Sequence, residues 1–269
     1  MQHHTGDWVG ALSSYEEAER LSVEVGDRAG ASMQRVDQSL LYLQLGKFEE
    51  AQQDLMAVWQ WAKRVEHPYI LMASGAALGE LYWNMEKSHK AGSYLLIAHA
   101  LSEEKDNPYH HMQMLLASAA MLLDAGEPDA ALLGAQEAQS LAAQIESAEG
   151  EVRAMALEIE AMARQNPVAA AYGAWAALDW LENADETLQS LPSLYLALTR
   201  VFVANDDRDN ARIMLRQAGR LVANQASRVQ PASFRDSFLR NLRVNREIRA
   251  MAEILYQGPR ESIDKDSVE

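Results

Sequence analysis

Not one of the 269 residues is a cysteine, which excludes disulfides, thiolate catalysis and zinc sites built on thiolates. Long apolar runs are missing as well. Nothing approaches the ~18 consecutive apolar residues of a membrane span, and the opening Met1-Gln2-His3-His4-Thr5-Gly6-Asp7-Trp8 lacks the apolar stretch of a secretory signal. The expected setting is therefore cytoplasmic, with no membrane partner. Basic residues are scarce: 24 Lys+Arg stand against 39 Asp+Glu, a net charge of -15. Nucleic-acid binding rests on clustered Lys and Arg, so the expected partner is a protein or peptide that is not strongly acidic, and no nucleic acid. Residues 201–269 hold 12 Lys+Arg and 10 Asp+Glu, for +2, leaving 12 against 29, or -17, for residues 1–200. Catalytic signatures are also lacking. No G-x-x-x-x-G-K-[ST], H-E-x-x-H or G-x-S-x-G occurs, so no enzyme activity, cofactor or metal site is expected. His110 and His111 are neighbours on a helix and do not share a face; they read as surface histidines. His3 and His4 carry no weight.

What is present is ample apolar material, 48% of the chain, and a repeat. A turn at Gly6-Asp7-Trp8 recurs as Gly46-Lys47-Phe48 and Gly126-Glu127-Pro128, all offset by multiples of 40, and the same frame places polar or helix-breaking turns at Glu86-Lys87-Ser88, Asn166-Pro167-Val168 and Asp206-Asp207-Arg208. Five residues after each turn start stands alanine: Ala11, Ala51, Ala91, Ala131, Ala171 and Ala211. Nine after come Tyr15, Leu55, Leu95, Ala135, Trp175 and Leu215, and twelve after come Ala18, Val58, Ala98, Ala138, Leu178 and Ala218. Offsets separated by four and three lie on one helix face. Alanine at the first of them lets two helix axes approach to roughly 8 Å.

Helices are expected over 7–25, 28–45, 48–65, 68–85, 88–104, 108–125, 128–146, 149–164, 167–182, 188–204 and 208–225. Asn107-Pro108 and Asn166-Pro167 read as an N-cap followed by proline at the first helical position, and Pro68 and Pro108, 40 apart, are each followed by tyrosine. Beyond the array, Ser233-Phe234-Arg235-Asp236 resembles a capping box that opens a helix through Phe238 and Leu239. A last helix runs through Ile248, Met251, Ile254 and Leu255, and Gly258-Pro259 stops it. The expected organisation is an array over 1–225, capping helices over 226–257 and a disordered tail over 258–269.

This column set, with Tyr42 and Tyr82 four before the turn, resembles the tetratricopeptide repeat (TPR), here with a unit of about 40 residues rather than the usual 34. The resemblance implies an all-α, right-handed α-solenoid of antiparallel helix pairs, a TPR-like superhelix, with the C-terminal helices as its cap. Long-unit arrays of this sort are similar to those ending bacterial signalling ATPases and transcription activators, including regulators of the maltose-activator type. The resemblance further implies that the first helix of each unit lines a concave groove, with Leu40, Leu43 and Trp83 as apolar anchors and Glu80, Gln113, Arg153, Glu160 and Arg200 as polar selectors. A peptide or partner helix would bind there, in a bacterial regulatory system; the alternative is a sensor module of a larger regulator that takes a small effector. An ordinary packing role stays open for Trp83, and pairing with Glu149 or Glu160 for Arg153. The Lys and Asn clamp of chaperone-binding members is missing, so a chaperone C-terminus is not an expected ligand. The chain opens on a second helix whose partner is absent. Trp8, Leu12 and Tyr15 are therefore expected to lack half their cover, either because the chain is a segment or because a second copy docks on this N-terminal edge.

Overall fold

The computed structural model describes residues 8–102 and 107–257. In chain order the helices are α1 (Trp8–Glu24), α2 (Arg28–Gln44), α3 (Phe48–Arg64), α4 (Pro68–Asn84), α5 (Ser88–Ser102), α6 (Pro108–Ala125), α7 (Pro128–Gln144), α8 (Ala148–Gln165), α9 (Pro167–Leu181), α10 (Leu191–Ala204), α11 (Arg208–Arg228), α12 (Ala232–Asn241) and α13 (Arg243–Gln257). Consecutive helices pack against each other, and α2, α4, α6, α8 and α10 also pack side by side. The result is an all-α solenoid of antiparallel helix pairs. No strand occurs among the described residues, and none of their helices is long and apolar enough to cross a membrane. The pair His3-His4, the first turn at Gly6-Asp7, the end of the helix expected to reach 104, the stop at Gly258-Pro259 and the tail lie outside the described residues.

Local chemistry explains the stride. Side-chain caps open the first helices of the units: the carboxylate of Asp27 accepts from Gly30 N, Asn107 Oδ1 from Tyr109 N and His110 N, and Ser147 Oγ from Gly150 N. Helix ends close with a left-handed residue at Gly26, Gly46, Glu66, Glu86, Gly126, Glu146 and Asp206, spaced by 20 or its multiples. The following N–H bonds back to the carbonyl five residues earlier, as in Lys47 N to Tyr42 O and Lys87 N to Tyr82 O, both 2.8 Å, the pattern that satisfies the last carbonyls of a helix. Ala51, Ala91, Ala131 and Ala211 are fully buried and Ala11 nearly so, which is what the alanine column requires. Close approach is sharpest where Leu95 of α5 seats on Gly79 of α4; a Cβ there would lie 2.5 Å from Leu95 Cγ.

The fifth unit departs from the expected register. Asn166 ends α8 and caps α9 at once, with extended backbone at φ -154 instead of a left-handed turn. The turn is thereby shortened, and α9 starts one residue early in the 40-residue frame. Its buried face is Ala170, Ala174 and Ala177, so Ala171 and Leu178 move to the flank of the buried face and Trp175 becomes 52% exposed. The next helix starts at Leu191 rather than 188, because Glu149 of α8 holds Gln189 N and Ser190 N ahead of it.

The C-terminal helices do more than cover α11. The capping box at Ser233 does not form: α12 already begins at Ala232, after Pro231, with no side-chain cap. Instead α12 crosses to the first units. Asn241 Nδ2 donates to Gly46 O at 2.9 Å, Lys47 Nζ lies 5.4 Å from the Phe234 ring centroid, and Gly46 meets α12 so closely that a Cβ would stand 2.6 Å from Ser237 O. Trp8 and Leu12 are consequently buried, 3% and 7% exposed, in one cluster with Leu41, Leu45 and Phe238. The expectation that they lack half their cover is corrected: part of that cover comes from the chain's own C-terminal helices.

Candidate functional site

The return of α12 and α13 turns an open groove into a lumen of about 930 Å³. Its wall is built from the inward faces of α2, α4, α6, α8 and α10, and α12–α13 close one side. Leu40, Leu43, Glu80, Trp83, Gln113, Arg153, Glu160 and Arg200 all line it. Leu40 and Leu43 stand on the apolar side with Met33, and Leu43 is itself almost fully buried in the wall. On the same helices, Val36, Ala73 and Ala76 are buried in the wall.

The polar residues pair across helices, not along them. Arg153 Nη1 donates to Gln113 Oε1 at 2.6 Å and Nη2 to Glu80 Oε1 at 3.0 Å, tying α8 to α6 and α4. This replaces the pairing with Glu149 or Glu160 left open from the sequence: Glu149 is taken by the backbone ahead of α10, and Glu160 by Arg200. Arg200 also donates to Glu247 Oε2 of α13 at 3.0 Å. Burial pushes the Glu160 carboxyl above its ordinary range, and the Arg200 charge opposes that rise.

Trp83 is held on the closing side. Its Nε1 donates to Asp124 Oδ2 at 2.7 Å, and the guanidinium of Arg243 lies 4.4 Å from its ring centroid. Arg243 in turn makes a fork with Asp124, at 2.5 and 2.9 Å, and donates to Glu247 at 2.7 Å. One turn on, Arg246 donates to Asn84 O and to Glu86 Oε1 at the end of α4. Asp124, Arg243 and Glu247 were not foreseen, since the only sequence signal was the basic balance of the C-terminal part.

The other side of the lumen carries Asp37, Tyr15, Tyr69 and Tyr109. Asp37 stands on α2 between Met33 and Leu40, and burial pushes its carboxyl up from 3.8 to about 6. Tyr15 is pushed up to about 12, first by burial and then by the Asp37 charge. Tyr69 and Tyr109 are also raised, burial again coming first and Asp37 contributing. Asn107 Nδ2 donates to Tyr69 Oη at 2.9 Å, and the Tyr69 ring meets His110 edge-on at 5.6 Å. The tyrosines were visible as the residues following Pro68 and Pro108, without a hint of what they line. His110 is not a surface histidine. It is 5% exposed, and burial lowers its imidazole from 6.5 to about 4. Among the described residues no group of three or more His, Asp or Glu is placed to hold a metal ion.

No protein-family model matches the sequence, and no curated protein matches it. Among solved structures, the crystal structure of BtubC (BKLC) from P. vanneervenii is similar over 85% of this chain and 94% of that chain, with a TM-score of 0.58 and 18% identity. At that identity the likeness is one of fold: this chain shares a helical-repeat architecture with BtubC.

Proposed function

We propose that the protein is a non-catalytic, TPR-like interaction scaffold of a bacterial, cytoplasmic regulatory system, and that its lumen receives a segment of a partner protein. The observation that carries this reading is convergence. Residues spread over five units, from Leu40 to Arg200, face one space of about 930 Å³, and its lining mixes apolar anchors with a few oriented polar groups, the composition of a binding site. A chain segment bound there would set its apolar side chains against Met33 and Leu40, which line the lumen.

The test is a displayed peptide library selected against the wild-type chain and two variants. Leu40→Glu places a charge in the lumen; Leu133→Glu alters a residue 69% exposed on α7, outside the lumen's lining. Selected peptides are expected to lose binding to Leu40→Glu and to keep it with Leu133→Glu. Equal binding to all three chains rejects the lumen as the site. A second reading, a sensor for a small effector, is favoured by one observation, that α12 and α13 close a mouth that open arrays leave free. A metabolite that raises the melting temperature by mass action, while no peptide is selected, would favour it.

A further inference from the structure

Four elements bring unlike groups together in one part of the lumen, where Asp37 acts electrostatically on each of three tyrosines. Asp37 comes from α2, and tyrosines at positions 15, 69 and 109 come from α1, α4 and α6. Asp37 is more than half withdrawn from solvent, and among the described residues its carboxylate has no hydrogen bond or ion pair. Arg153, which also lines the lumen, is already held by Glu80 and Gln113. An enclosed carboxylate without a counter-charge is costly, and three tyrosine rings share the lumen lining with it. Aromatic faces attract cations through their quadrupole, and the attraction grows when water is excluded. Beside the carboxylate, Met33 and Leu40 give an apolar track for a hydrocarbon stem.

We infer that this corner of the lumen is a receptor for an alkylammonium group, a lysine side chain of the bound segment, with Asp37 as its counter-charge and Tyr15, Tyr69 and Tyr109 as its walls. The inference rests on the scaffold reading above and names the chemistry of its partner. The ammonium satisfies the one open carboxylate of the corner, and the methylenes lie along Met33 and Leu40. A surface carrying -17 over residues 1–200 draws a basic segment toward the opening before any contact forms.

Isothermal titration of the full chain with pentalysine provides the test, using the wild type, Asp37→Asn, Tyr69→Leu and Asp209→Asn. Asp209 has a side chain 95% exposed on α11, so its variant removes the same charge away from the lumen. Pentalysine is expected to bind the wild type and Asp209→Asn alike, to bind Asp37→Asn about tenfold more weakly or worse, and to bind Tyr69→Leu several-fold more weakly. Equal affinity for Asp37→Asn and the wild type overturns the inference, as does an equal loss with Asp209→Asn, which would mean diffuse attraction. Binding of n-butylammonium without binding of pentalysine overturns the lysine as its source. Peptides selected through Leu40 that ignore Asp37→Asn sink the ammonium receptor and leave the scaffold standing; absence of any Leu40-dependent peptide sinks the scaffold.

Discussion

Replacing Asp37 by asparagine keeps the volume and removes a charge that the fold holds at a cost. The folded carboxyl titrates near 6 instead of 3.8, and at about 1.4 kcal/mol per pKa unit the difference sets a ceiling of roughly 3 kcal/mol. Water in the lumen screens part of it, which leaves about 1–3 kcal/mol. Because the folded chain binds this proton more tightly than the unfolded chain, the penalty is fully present above pH 6 and fades as the pH falls toward 3.8. Asp37→Asn is therefore expected to be the more stable chain at pH 7.5 by that amount. His110 acts in the opposite sense. Its folded pKa is lowered from 6.5 to about 4, so the unfolded chain binds the proton more tightly and acidification through that window costs stability. In the wild type the two effects offset each other. Asp37→Asn exposes the histidine contribution, and its stability should fall more steeply between pH 6.5 and 4 than that of the wild type. The assay is urea unfolding followed by circular dichroism at closely spaced pH values, comparing midpoints at constant slope. A variant less stable than the wild type at pH 7.5, with an unchanged pH profile, would mean that the carboxylate has a stabilising partner, and the reasoning would fail.

Arg243→Ala removes the fork to Asp124, the bond to Glu247 and the guanidinium over Trp83 together, an expected loss of about 2–4 kcal/mol; hydrogen exchange should accelerate in α13 and not in α3 or α5. Gly46→Ala and Gly26→Ala both put a side chain at positive φ, about 1 kcal/mol each, but only at Gly46 does the new Cβ strike α12. Thermal melts should show the larger loss there. Gly79→Ala gains helix propensity and still should lose about 1–3 kcal/mol, since its Cβ would meet the buried Leu95. Trp83→Ala and Arg200→Glu should weaken ligand capture and also loosen α13, which both residues touch; their effect on α13 is read by the same exchange experiment.

Whatever depends on neighbours along the chain was legible from the residues. The alanine column, the proline-led helix starts and the groove columns are local statements about which face of a helix looks inward, and Leu40, Glu80, Arg153 and Arg200 do look into one space. The shift in the fifth unit was legible in part. An N-cap at Asn166 requires a helix from Pro167, one residue ahead of the 40-residue frame, so Ala170 rather than Ala171 had to face inward; a fixed stride concealed the conflict. What periodicity could not reveal is the return of α12 and α13, because the partners of Asn241, Arg243 and Arg246 lie 119 to 195 residues away. The burial of Trp8, the pairing of Trp83 and the enclosure of Asp37 follow from that return or from the curvature of the array. Those are properties of the assembled superhelix, not of any one unit.

The lumen exists only if the last helices reach back to the first unit, and the absence of native cysteine makes this measurable with one introduced pair. Spin labels on Glu49→Cys and Arg240→Cys, both exposed, read the distance between α3 and α12 by pulsed electron resonance. The contact of Asn241 with Gly46 calls for a single short distance, well below the roughly 40 Å that four steps of about 10 Å set between first and last units of a straight open stack. A distribution centred at or beyond that length would leave the array open, and the enclosed binding site with it.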